Sequence, residues 1–89
     1  MAWQIKFDGS AKKDLAKLDQ QVAKRITTFL GERVSKLRDP RSIGEALTGS
    51  DLGEFWKYRV GDYRIISKIE DGALRILVVR IGDRKDVYR

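Results

Sequence analysis

Lys57 and Arg59 stand two residues apart, and Arg64 follows across Gly61-Asp62, a turn signal flanked by runs rich in aromatic and β-branched residues. A two-residue primed turn with glycine first makes a hairpin of these runs and pairs Val60 with Tyr63 and Arg59 with Arg64. Side chains alternate along a strand. One face of the hairpin therefore carries Phe55, Lys57, Arg59, Arg64, Ile66 and Lys68. The other, the core face, carries Trp56, Tyr58, Val60, Tyr63, Ile65 and Ile69. Like charges placed directly opposite cost a few tenths of a kcal/mol, up to about 1, and no carboxylate alternates between these cations. An anion on that face offsets the repulsion.

The elements that must position these residues are six. A third strand follows Glu70-Asp71-Gly72, which suits a three-residue loop with Gly72 left-handed and Ile69 paired with Ala73. That register places Leu77, Val79 and Ile81 on the core face, Arg80 on the cationic face, and Arg84 just past the strand end at Gly82. A two-residue loop would reverse the faces of this strand, whereas Lys57, Arg59 and Arg64 depend on the first turn alone. Upstream, Trp3, Ile5 and Phe7 alternate with Gln4 and Lys6 as a half-buried strand. Asp8, Gly9 or Ser10 caps a first helix with Ala11, Leu15 and Leu18 along one side. A second helix starts near Asp19 or Gln20, carries Val22, Ile26, Phe29, Leu30 and Leu37 at helical spacing, and ends before Asp39-Pro40. Lys24, Arg25, Arg33, Lys36 and Arg38 read as its solvated side. Residues 39–53 read as an irregular connection tacked to the core by Ile43, Ala46 and Leu47. The order βααβββ predicts an α+β fold, a helical hairpin packed on one face of an antiparallel-rich sheet whose other face is open and cationic.

With 89 residues, 42% of them hydrophobic and 36% charged, the chain reads as one small domain, residues 1–89. A domain of this size hides only about 60 to 65% of its unfolded surface, so a tight partner adds usefully to its stability. The net charge of +6 favours a polyanionic partner. Neither cysteine nor histidine occurs. No disulfide, metal or other cofactor is expected, and any catalysis falls to Lys, Arg, Tyr or carboxylates. No signal peptide and no apolar run near 18 residues is present, which predicts a cytoplasmic protein with no membrane association.

The segments LGEFWKYRVGDYRII and RIGDRKDVYR, set in this element order, resemble a RelE-type toxin of the RelE/ParE toxin-antitoxin superfamily over essentially the whole chain. The resemblance implies a toxin that enters the ribosomal A site and cleaves messenger RNA. It also implies a cognate RelB-like antitoxin, encoded beside it, that blocks it in a hetero-oligomer. Carried across by motif, the family's functional positions fall on Lys57, Arg64, Arg84 and Tyr88, with Arg59, Lys68 and Arg80 expected to bind RNA. This sequence departs from the pattern at Phe55, where some members carry a second lysine, and at Asp83, often histidine in relatives. The identity of the general base is thereby open. The implied chemistry is attack of a ribose 2′-OH on its own 3′-phosphate. Lys57 is the first choice of base, because neighbouring Arg59 and Arg64 disfavour its charged form. A carboxylate such as Glu54 is the alternative. Arg64 and Arg84 clamp the phosphate, and Tyr88 stacks on a base or orients the hydroxyl. Two other functions share this fold: a ParE-like protein that poisons gyrase without cutting RNA, and a silent relative that binds RNA or only its antitoxin.

Overall fold

A computed structural model describes residues 2–47 and 55–87. Five strands, among them the two-residue β2 (Glu45–Ala46), form a sheet in the order β1-β5-β4-β3-β2. β1 (Gln4–Phe7) runs parallel to β5 (Arg75–Asp83), and every other pairing is antiparallel, including β3 (Phe55–Val60) with β4 (Tyr63–Glu70). α1 (Gly9–Lys17) and α2 (Gln20–Thr28) start at Asp8 and Asp19, whose carboxylates accept from the N–H groups of Ala11 at 2.8 Å and Gln21 at 3.1 Å. These caps satisfy donors that no helical carbonyl can reach. Ala11, Ile26 and Leu30 bury themselves against Tyr58, Ile65, Ile76 and Val78, which form the core under the helices. Among the described residues no helix is long and apolar enough to cross a membrane.

The helix after α2 does not end where an α-helix would. It widens into a π turn at Phe29–Arg33 and closes with a 3₁₀ turn at Val34–Lys36. Val34 is fully buried, while Leu37, expected in the core, is half-buried after the last turn. A π turn takes about one residue more than the 3.6 of an α turn and so rotates everything downstream; Val34, four residues after Leu30, stays on the buried side, and Leu37 lies past the last turn in extended backbone.

The first hairpin has the expected register, Val60 opposite Tyr63 and Arg59 opposite Arg64, with Gly61 at φ 60°. The second turn is different. Glu70 pairs with Arg75, the loop runs over four residues, and the left-handed position is Leu74 at φ 49° rather than Gly72. Ile69 faces Ile76 instead of Ala73, so Ile76 and Val78 are the buried residues in place of Leu77 and Val79. A bulge opposite Ile66 and Ser67 then inserts one residue, Val79, into β5 and reverses the alternation. Beyond it Ile81 is buried and Arg80 is back on the cationic face, as expected, though its partner there is Ile66.

Residues 39–47 are ordered rather than irregular. Pro40–Ile43 form a 3₁₀ turn capped by Asp39, and Glu45–Ala46 form the short strand β2 against β3. Tyr58 pins this segment by donating its hydroxyl to the Pro40 carbonyl at 2.8 Å, and burial pushes its phenol up to about 12. Arg41 reinforces it with two hydrogen bonds to Asp71, at 2.6 and 3.0 Å, and a guanidinium 5.8 Å from the centroid of the Trp56 ring. That pairing holds the Asp71 carboxyl below its usual range.

Candidate functional site

Three of the four residues expected to act on RNA, Lys57, Arg64 and Arg84, lie among the described residues; Tyr88, like Glu54, lies outside them. The sheet face opposite the helices carries three rows. Phe55 aligns with Lys68 and Leu77, Lys57 with Ile66 and Arg80, and Arg59 with Arg64 and Gly82. Chain connectivity thus brings Lys57, Arg59 and Arg64 onto adjacent positions near the hairpin tip, with Lys68 at the other end of the face.

Arg59 and Arg64 resolve their repulsion by turning in opposite directions. Arg59 Nη2 lies 3.3 Å from Glu45 Oε1. Arg64 Nη1 folds back to donate to the carbonyls of Gly61 at 3.1 Å and Tyr63 at 3.0 Å. Glu45 is a carboxylate that the hairpin sequence does not contain. It stands opposite Lys57 in the β2–β3 register, with Oε2 3.5 Å from the half-buried Lys57 Nζ. The expected unbalanced cationic face is therefore corrected: Lys57 and Arg59 share one carboxylate. Sequence reasoning missed Glu45 because a two-residue strand has no alternation to read.

Arg84 arrives at the same tip by a backbone anchor. Its N–H donates to the Asp62 carbonyl at 2.8 Å, and its side chain is exposed. Just past β5 the chain turns around Asp83, whose carboxylate accepts from Lys85 N–H at 2.9 Å and whose carbonyl accepts from Asp86 and Val87. Asp83 is thereby a turn former. Val87 folds back over Gly82, where a Cβ would stand 3.4 Å from the Val87 Cβ, so this face is covered at one end and not fully open. Arg80 is drawn elsewhere. β1 stops at Phe7 opposite Val78, and α1 runs beside the remainder of β5. There Asp14 Oδ2 accepts from Ile81 N–H at 3.0 Å and lies 3.9 Å from Arg80 Nε.

Two helix residues read as solvated lie beside the site. Arg33 lines a cleft of about 280 Å³ together with Phe29, Ile43, Glu45, Lys57 and Arg59. Arg25 covers the hairpin tip, with Nη1 3.3 Å from where a Cβ on Gly61 would stand. Eight residues separate them, which is about two turns once one turn is π-wound, so both point to the same side. Among the described residues, Arg25, Arg64 and Arg84 have no carboxylate within ion-pair distance. The tip can hold an anion, and the Lys57–Glu45 pair stands beside it.

Known proteins share this fold. The chain is 29% identical to toxin RelG of Mycobacterium tuberculosis, over 100% of this chain and 99% of the relative. It is also 29% identical to toxin RelE of the same organism, over 98% of this chain and 87% of that toxin. In the crystal structure of the M. tuberculosis RelBE2 toxin-antitoxin complex, a chain 26% identical superposes with a TM-score of 0.85, covering 97% of this chain and 95% of that one. The isolated RelE toxin of Escherichia coli, at 23% identity, has the same fold with a TM-score of 0.71, covering 92% and 84%. Residues 5–88 match the family described as ParE toxin of type II toxin-antitoxin system, parDE, and the chain belongs to that family as a toxin of RelE type.

Proposed function

We propose that this toxin is a ribosome-dependent endoribonuclease that cleaves messenger RNA in the A site and is blocked by a RelB-like antitoxin in a hetero-oligomer. The observation that carries the reading is the hairpin tip, where Arg64 and Arg84 are both anchored to carbonyls of the Gly61–Tyr63 segment. The Arg64 guanidinium bonded to this turn and the exposed side chain of Arg84, whose backbone is bonded to the same turn, make a clamp for a pentacovalent phosphorane, the species that gains negative charge in the transition state. The ribose 2′-oxygen attacks the adjacent phosphorus and the bond to the 5′-oxygen breaks, leaving a 2′,3′-cyclic phosphate. The 2′-OH proton passes to the Lys57–Glu45 pair. Solvent protonates the leaving 5′-oxygen, since a guanidinium with a pKa above about 12 is a poor donor. No step requires a metal or cofactor. Arg59 supports the track through its own phosphate contact, Lys68 and Arg80 contact RNA further along the face, and Tyr88 stacks on a base.

Phosphate contacts bind any RNA almost equally and do not by themselves align a hydroxyl for attack, so the ribosome supplies the alignment. This puts the activity in the cytoplasm. Single-turnover cleavage of one message, free and in a programmed ribosome, tests the reading. Cleavage in the ribosome is expected to be orders of magnitude faster, with Arg64→Ala and Arg84→Ala both lowering it at unchanged fold and relieving growth arrest. Comparable free and ribosomal rates would sink ribosome dependence. The ParE description of the family favours one second reading, gyrase poisoning. Mapped message ends after induction support cleavage, whereas DNA-damage signalling with intact messages supports the gyrase target.

A further inference from the structure

β2 covers the outer edge of β3 only as far as Lys57, and among the described residues no strand lies against that edge, the one away from β4, from Tyr58 to Val60. Two cationic rows border this free edge. On the sheet side stand Lys57, Arg59 and Arg64. On the helix side, Arg33 lines the cleft that Lys57 and Arg59 also line, and Arg25 sits over Gly61 at the tip. Arg33 to Arg25 spans roughly 12 Å at the helical rise, and Lys57 to Gly61 spans roughly 13 Å at the strand rise. The rows are matched in length. At a rise of about 3.4 Å per nucleotide, they border three to four nucleotides of a stacked strand. Glu45 closes one end by pairing with Lys57 and Arg59, and the carboxylate-free group of Arg25, Arg64 and Arg84 opens the other. The π turn makes this possible, because in an uninterrupted α-helix eight residues overshoot two turns by about 0.8 residue and swing Arg33 away from the edge.

We propose that the second helix is the other wall of the RNA track: Arg25 and Arg33 bind backbone phosphates of single-stranded RNA lying along the free edge of β3, flanking the phosphate held by Arg64 and Arg84. This rests on the RNA-cleaving reading above but is tested by binding alone. Both arginines are positioning residues that touch non-reacting phosphates, and the exposed side chains of both make Arg→Ala compatible with folding, which a melting curve verifies.

The experiment measures binding of a fluorescein-labelled ten-nucleotide oligouridylate to the full chain between 50 and 300 mM salt. Each phosphate contact to a single strand contributes about 0.7 to the slope of log K against log salt. Arg25→Ala and Arg33→Ala are each expected to reduce the slope by about 0.7 and to weaken binding about 5-fold at 0.1 M salt. Arg25→Lys and Arg33→Lys, which keep the charge, restore most of the slope. Lys12→Ala on the exposed side of α1 removes the same charge elsewhere and leaves the slope within error. Unchanged slopes in the two alanine variants overturn the proposal, as does an equal loss in Lys12→Ala, which reports only diffuse charge. Wild-type chain that binds this RNA but leaves ribosome-held messages intact removes the nuclease reading and leaves the track standing.

Discussion

Tyr58 governs the geometry around Lys57 without being part of the site. Its hydroxyl satisfies the Pro40 carbonyl and so fixes the segment that delivers Glu45. Tyr58→Phe leaves that buried carbonyl without its donor, and a loss of about 1–3 kcal/mol is expected in urea melts. The alkaline limb gives an independent reading. Burial raises the Tyr58 phenol from 10.0 to about 12, so between those values the unfolded chain has lost a proton that the folded chain retains. Stability is therefore full below pH 10 and falls as pH rises toward 12, by on the order of 2 kcal/mol. In Tyr58→Phe this fall is absent, and phenolate absorbance of the parent should show one tyrosine of three titrating with unfolding. At this scale the site was half legible. Lys57, Arg59 and Arg64 follow from one turn signal and the two-residue period of a strand. Glu45, Arg25 and Arg33 come from segments whose local pattern gives no face, and only the tertiary fold brings them in.

Among the elements, the two hairpin turns contain glycine for different reasons. Gly61 at φ 60° is left-handed, and a Cβ there meets Arg25 Nη1 at 3.3 Å. Gly72 has neither a positive φ nor any atom within 4 Å of its Cβ position. Gly61→Ala should cost about 1–2 kcal/mol, which is roughly 4–16 °C in Tm for a domain of this size. Gly72→Ala should leave Tm within about 2 °C. Equal effects at the two sites would contradict the assignment of Leu74 as the left-handed residue of the second loop. The reason the second loop was misread is physical: a glycine after two acidic residues fits a three-residue turn, but Leu74 accepts the left-handed conformation, and the bulge at Val79 then restores the alternation that the longer loop had shifted. The longer loop and the bulge each reverse the faces of β5, so together they return Arg80 and Ile81 to the faces that simple counting gives them and exchange Leu77 and Val79 for Ile76 and Val78.

For the whole molecule, the decisive quantities are small size and a charge of +6. A partner that binds only the folded chain stabilises it by about 2.7 kcal/mol at 100 times its Kd, so an antitoxin at that excess should raise Tm by roughly 10–20 °C. If the cationic face takes part, the shift shrinks between 50 and 500 mM salt as charge is screened. An antitoxin complex whose Tm shift is indifferent to salt would place the contact away from Lys57, Arg59 and Arg64. The α+β order and the single cationic face were legible from the sequence, since both rest on periodicity. The parallel pairing of β1 with β5 was not, because the two are joined only through the rest of the chain and share no turn.

That pairing sets a clock on synthesis. β5 is made after every other strand yet lies inside the sheet, between β1 and β4. Until residues 75–83 leave the exit tunnel, β1 has no neighbour in the sheet and α1 lacks the strand it packs on most. Nascent chains arrested before Arg75 should be digested by protease as fast as an unfolded peptide, and release of the finished chain should bring resistance in one step. The toxin is thus kept from folding for most of its own translation, and an antitoxin that binds only the folded chain has no target until that moment.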